Sequence, residues 1–270
     1  MAGEQPNKEM DWRNALETAV TTDGSLLGVY DRFHNYSYTN QVLFLEQGYH
    51  EPMGSWATWK KLGRFVLKES RAGLVIVPLI VHEPEPRSDD DEQLEDKRER
   101  VAHLIGFKLV RGVFPLSATG GKELPHVEPP GWSLAQALDK MGIREVPFDQ
   151  TAGNIQGWSR GLEFGINPLA VNRNKTVFHE LGHIALGHTL PDRHNEHAQH
   201  RGLMEGEAEA VALLITKEVG LLDDETASHI RGYLKHWMGD DGFPEKSIRR
   251  IFRTVEAILR AGRVATAATE

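Results

Sequence analysis

The segment Phe178, His179, Glu180, Leu181, Gly182, His183 sets two imidazoles four residues apart, with a carboxylate directly after the first. On a helix, residues at that spacing share a face, so both rings can approach one cation. Glu180, one step round the helix, can reach a water beside that cation. Val177, Leu181 and Ile184 fall on another face, which gives the helix an apolar side to bury.

Glu205 and Glu209 repeat the four-residue spacing on the next strongly helical segment, whereas Glu207 between them points elsewhere. Two His and one Glu leave a zinc position open for water, the arrangement that catalytic sites use. Glu205 is taken as the third ligand. Glu209 is taken as the carboxylate that orients a ligating His by accepting its second ring proton. Spacing alone does not order two carboxylates on one face, so the reverse assignment stays open. The expected chemistry is that of a zincin-type, gluzincin-like metallopeptidase. Water attacks a metal-polarised peptide carbonyl, and Glu180 acts as general base and then passes the proton to the leaving amine. Zinc is the expected cation, and these ligands do not separate it from manganese or cobalt. The chain has no cysteine, which excludes thiolate ligands and disulfides and fits a reducing cytosol.

Other histidines compete for attention. A third ligand of the longer three-histidine motif would fall at Thr189, so His188, His194, His197 and His200 read instead as a solvated loop. His229, Tyr233 and His236 are candidate oxyanion donors, with packing or surface roles as the alternative for each.

The first half carries a different mixture. Trp56, Trp59, Lys60, Lys61, Arg64, Lys68 and Arg71 interleave aromatic and basic groups, and Tyr36 and Tyr38 lie shortly before them. Bases stack on aromatic faces while cations follow phosphates, so these residues suit single-stranded nucleic acid, and DNA is the form considered. The alternative is that the paired Trp side chains are core and the lysines their wet face. A net charge of -8 argues against coating duplex DNA through bulk positive charge.

These groups need elements to hold them. Apolar periodicity predicts helices over residues 7–20, 38–47, 55–62 with Ser55 as N-cap, 133–141 stopped at Gly142, 175–188, 203–219 and 246–261. Strands are predicted over 64–67, 74–81, 101–114 and 162–166. The charged stretch of about 83–100 cannot bury enough surface to fold alone and reads as a long loop within one antiparallel hairpin. Glycine and proline concentrate near 120–130, which places a boundary between an N-terminal α+β domain, 1–122, and a metallopeptidase domain, 123–270. No apolar run is long enough for a membrane span or signal peptide, so a soluble, cytoplasmic protein is expected.

Taken together, the two halves resemble the ArdC-type antirestriction proteins. The resemblance rests on NYSYTNQVLFLEQ from Asn35, SWATWKKLGRFVLKESRAGLVIVPL from Ser55, TVFHELGHIALGH from Thr176 and EGEAEAVALLI from Glu205. It implies an N-terminal domain that binds single-stranded DNA, joined to a zincin-like metallopeptidase domain in a cytosolic protein of mobile genetic elements. KESRAG before Leu74 departs from the family's Lys-Gly-Glu-Lys-Gly-like turn, PLSATGG after Phe114 departs from its Gln-containing turn, and the acidic run from Asp89 to Glu95 would repel phosphate. Two other functions remain: a regulatory metalloprotease that cleaves a repressor or host protein without binding DNA, and a single-strand-binding protein whose metal is purely structural.

Overall fold

The computed structural model describes residues 10–30, 32–84, 100–125, 127–128, 130–150, 154–190, 194–222, 232 and 242–264. The charged stretch from 85 to 99, the start of the first expected helix at 7–9, and His229, Tyr233 and His236 lie outside them.

The chain is an α+β protein whose first half lays three helices beside a hairpin. These are α1 (Trp12–Thr21), α2 (Leu26–Tyr30) and α3 (Tyr38–Glu46). Asp11 caps α1 by accepting from the Arg13 and Asn14 amides, and Ser37 caps α3 through the Asn40 amide, satisfying amides that a helix start leaves unpaired. β1 (Met53–Ser55) leads into α4 (Trp56–Lys61), and the Ser55 side chain accepts from Thr58 N at 3.1 Å, as its N-cap role requires. β2 (Arg64–Val66), β3 (Gly73–Pro84), β4 (Arg100–Pro115) and β5 (Thr119–Gly121) follow. β3 and β4 pair antiparallel from Gly73 and Val113 to Pro84 and Arg100, so the charged stretch does join the two arms of one hairpin. β1 extends that sheet beside β4, and β2 pairs with β5.

The second half supplies α5 (Leu134–Met141), β6 (Arg144–Glu145), β7 (Gly157–Arg160), β8 (Glu163–Ile166), α6 (Arg173–Ala185), α7 (His194–Glu218) and α8 (Glu245–Gly262). β8 is central, with β6 parallel on one side and β7 antiparallel on the other. Gly142 ends α5 with a φ of 67°, the left-handed geometry that favours glycine at this position.

α7 is the axis of the molecule. Val211, Ala212, Leu213, Leu214 and Ile215 are all buried, so it is covered on every side rather than amphipathic. α8 is amphipathic, burying Ile248, Ile251, Phe252, Val255, Ile258 and Leu259 at helical spacing. Each such side chain contributes roughly 1.5–3 kcal/mol of burial. One continuous core joins Ala15, Leu16, Tyr38 and Phe44 of the first half to Leu214, Phe252 and Val255 of the second. Among the described residues, no helix is long and apolar enough to cross a membrane.

Candidate metal centre

α6 begins at an Asn172 cap whose side chain accepts from Lys175 N, and it buries Val177, Leu181 and Ile184. It packs closely on α7 because residue 182 has no side chain. A Cβ at Gly182 would stand 3.2 Å from the Ala208 carbonyl oxygen and 3.4 Å from Ala208 Cα. This close approach carries His179 and His183 up to the carboxylates of α7.

Three atoms converge there. His179 Nε2 and His183 Nε2 lie 3.2 Å apart, and Glu205 Oε2 is 3.4 Å from the first and 3.6 Å from the second. Together they form a cluster with ligand atoms all within 4.8 Å of one another. Behind it, Glu209 Oε2 meets His179 Nδ1 at 3.0 Å, while Lys175 Nζ holds Glu209 Oε1 at 2.6 Å. Glu180, buried beside the cluster, accepts from Ser159 Oγ on β7 at 2.7 Å.

The electrostatics follow from this packing. Burial pulls the His179 pKa down, but hydrogen bonds to Glu205 and Glu209 and the charges of Glu209 and Glu180 outweigh it and raise the pKa to about 9. The imidazoles beside it, His179 first and then His183, hold Glu205 far below the usual carboxylate range against its burial. Burial would raise Glu209, yet His179 and Lys175 bring it below its ordinary value. With Nδ1–H of His179 turned to Glu209, the cluster joins imidazole nitrogens to an ionised carboxylate. Such a set of electron-pair donors fits a divalent cation.

Several expectations need correction. His188 is not in a solvated loop: its side chain is fully buried, with Nδ1 3.1 Å from His183 Nδ1 and Nε2 2.9 Å from Glu207 Oε2. His194, His197 and His200 lie on α7, which starts well before Leu203. That polar first stretch has no apolar repeat to announce a helix.

The aromatic and basic set of the first half also divides. Tyr36, Tyr38 and Trp59 are buried and offer no open ring face, and Trp59 Nε1 donates to the Phe114 carbonyl at 3.0 Å. Arg64 is committed internally to Thr119 and the Lys122 carbonyl. Trp56 is 57% exposed, with Lys60 Nζ 5.1 Å from its ring centroid, and Lys61, Lys68 and Arg71 are exposed. Phe65, 59% exposed on β2, was not singled out by the sequence, because its place beside Gly120 depends on the β2–β5 pairing.

Two solved structures similar to this chain are of an ArdC antirestriction protein from the R388 plasmid. The metal-free crystal structure is 16% identical, with 93% of this chain and 95% of that chain covered and a TM-score of 0.48. The Mn(II)-bound structure is 14% identical, with 94% and 98% covered and a TM-score of 0.47. No protein-family model matches the chain, and no curated protein matches it.

Proposed function

We propose that this chain is an antirestriction-type protein in which His179, His183 and Glu205 hold a divalent cation, zinc by preference, for peptide-bond hydrolysis. The observation that carries this reading is the convergence of two imidazole Nε2 atoms on one carboxylate oxygen, with Glu180 alongside. A cation held there would polarise the scissile carbonyl and lower the pKa of the attacking water. Glu180 takes the proton of that water and returns it to the leaving amine. Ser159, donating to Glu180 Oε2, restrains that carboxylate. Glu209 fixes the His179 ring by accepting from Nδ1.

Single-stranded DNA is the proposed partner of the first half. The members of the aromatic and basic set that stay open are Trp56, Lys60, Lys61, Lys68 and Arg71, and Phe65 adds a second exposed ring. These groups supply stacking faces and phosphate contacts without asking any buried residue to move.

The deciding experiment combines elemental analysis and Zn(II) titration calorimetry with a peptidase assay on unfolded protein. Wild type is expected to take up one ion and cleave. Glu180→Ala is expected to keep the ion and lose cleavage, because it removes the base and no ligand. Absence of stoichiometric uptake by wild type, or undiminished cleavage by the variant, rejects the proposal. Gel shifts with single- and double-stranded oligonucleotides, with and without chelator, test the DNA half separately.

A further inference from the structure

His183 has its own support, reached through a second imidazole. α6 ends in a turn where Gly187, at φ 75°, lets the chain fold back, with Gly187 N donating to the Ile184 carbonyl and His188 N to the His183 carbonyl, each at 2.9 Å. This pair of bonds is the Schellman arrangement, which brings the residue after the left-handed glycine against the last turn of the helix. The residue delivered there is His188, directly beneath His183.

Beyond it the chain of bonds continues. Glu207 accepts from Arg250 through Oε1 at 2.5 Å and Oε2 at 2.6 Å, and its Oε2 also meets His188 Nε2 at 2.9 Å. A carboxylate paired with a guanidinium is an acceptor only, so His188 Nε2 carries the hydrogen. The neutral ring then presents a lone pair at Nδ1, and the partner 3.1 Å away, His183 Nδ1, must be the donor. His183 is thereby left with its lone pair on Nε2, 3.2 Å from His179 Nε2 and 3.6 Å from Glu205 Oε2. Donation runs outward from His183 through His188 to Glu207, which accepts from Arg250 on its other side.

We propose that His188, anchored by Glu207 and Arg250, is a positioning residue that fixes His183 as its Nδ1-protonated tautomer and aims Nε2 into the cluster with His179 and Glu205. This rests on the reading of that cluster as a cation site. The two rings of the cluster are then backed alike: His179 directly by Glu209 with Lys175, and His183 through one intervening imidazole by Glu207 with Arg250. A merely structural account fits less well. The side chains of Glu207 and His188 are both fully buried, and apolar groups of similar volume commonly pack as stably as a buried charged pair.

The test reads tautomers and affinity separately. Imidazole ¹⁵N spectra of the metal-free protein, recorded above the pH at which the rings titrate, are expected to show His183 protonated at Nδ1. In Glu207→Gln, the amide NH2 can donate to His188 Nε2 and reverse the series, moving the His183 proton to Nε2. In His188→Phe the link is cut while ring volume is kept. Both variants are expected to weaken Zn(II) binding, measured by chelator competition, by about 10–100-fold, the range for loss of a group that orients a ligand. A wild-type His183 protonated at Nε2 overturns the proposal even if neither variant folds. Weakened affinity with an unmoved tautomer overturns it as well, leaving only a packing role. Failure of wild type to bind Zn(II) would instead reject the cation site, while the spectra still decide the tautomer.

Discussion

Glu209 Oε2 lies 3.0 Å from His179 Nδ1, and the other oxygen of the same carboxylate is held by Lys175. The carboxylate therefore sits behind the ring, on the side away from Glu205. Replacing it with alanine frees the ring to rotate and to change tautomer, without removing an atom of the convergent cluster. Glu209→Ala is expected to lower Zn(II) affinity by about 10–100-fold, measured by chelator competition. An affinity loss matching that of Glu205→Ala would show that Glu209 itself is the ligand.

Gly157 on β7 closes against the Glu180 carboxylate. A Cβ there would stand 2.8 Å from Thr176 Cγ2, 3.0 Å from Glu180 Oε1 and 3.1 Å from Glu180 Cγ. Gly157→Ala must push Glu180 or the strand aside, at a cost of roughly 1–3 kcal/mol of overpacking. The expected result is Zn(II) affinity near that of wild type with hydrolysis reduced by at least tenfold. Unchanged turnover would mean that the Glu180 position is not critical.

The elements that were legible in the sequence are those whose signals are local. Ser55 before Trp56, Gly142 after Met141 and the spacing of His179 and His183 each specify a backbone event within a few residues. The long hairpin could be read from its two apolar arms. What escaped depends on distant partners. β6 and β7 are short strands with weak alternation, defined by pairing with β8. His188 reads as loop polarity until Glu207, nineteen residues on, is brought to it. The signal that could have found it is Gly187, a left-handed turn residue that folds the next side chain under the helix.

Trp56 and Trp59 are three residues apart and have opposite roles. Trp59 is buried against Phe33 and bonded to the Phe114 carbonyl, whereas Trp56 is open beside Lys60. Trp59→Ala is expected to cost about 3–5 kcal/mol of stability. Trp56→Ala should be close to neutral for stability and should weaken binding of single-stranded oligonucleotides by about 1–3 kcal/mol. Denaturant unfolding and fluorescence titration together read both effects. Unaltered DNA affinity in Trp56→Ala would exclude that ring as a stacking face.

Glu218 joins the two halves at the end of α7. It accepts from Ser25 Oγ at 2.9 Å and Leu27 N at 3.1 Å, with Tyr38 Oη 3.4 Å away. Burial raises its pKa, against the opposing effects of Lys217 and of the bonds from Leu27 and Ser25. A folded-state pKa above the unfolded one means the group favours folding most fully below the unfolded pKa. That contribution is lost as pH rises through the folded pKa. Glu218→Gln keeps an acceptor for Ser25 and Leu27 and removes the buried charge. It is expected to gain on wild type as pH rises from 4 to 8, by on the order of 1 kcal/mol at the upper end. Urea unfolding at several pH values measures the difference between the two proteins. A gap that stays constant or narrows with rising pH would show that the hydrogen bonds and Lys217 already stabilise the carboxylate more than burial disfavours it.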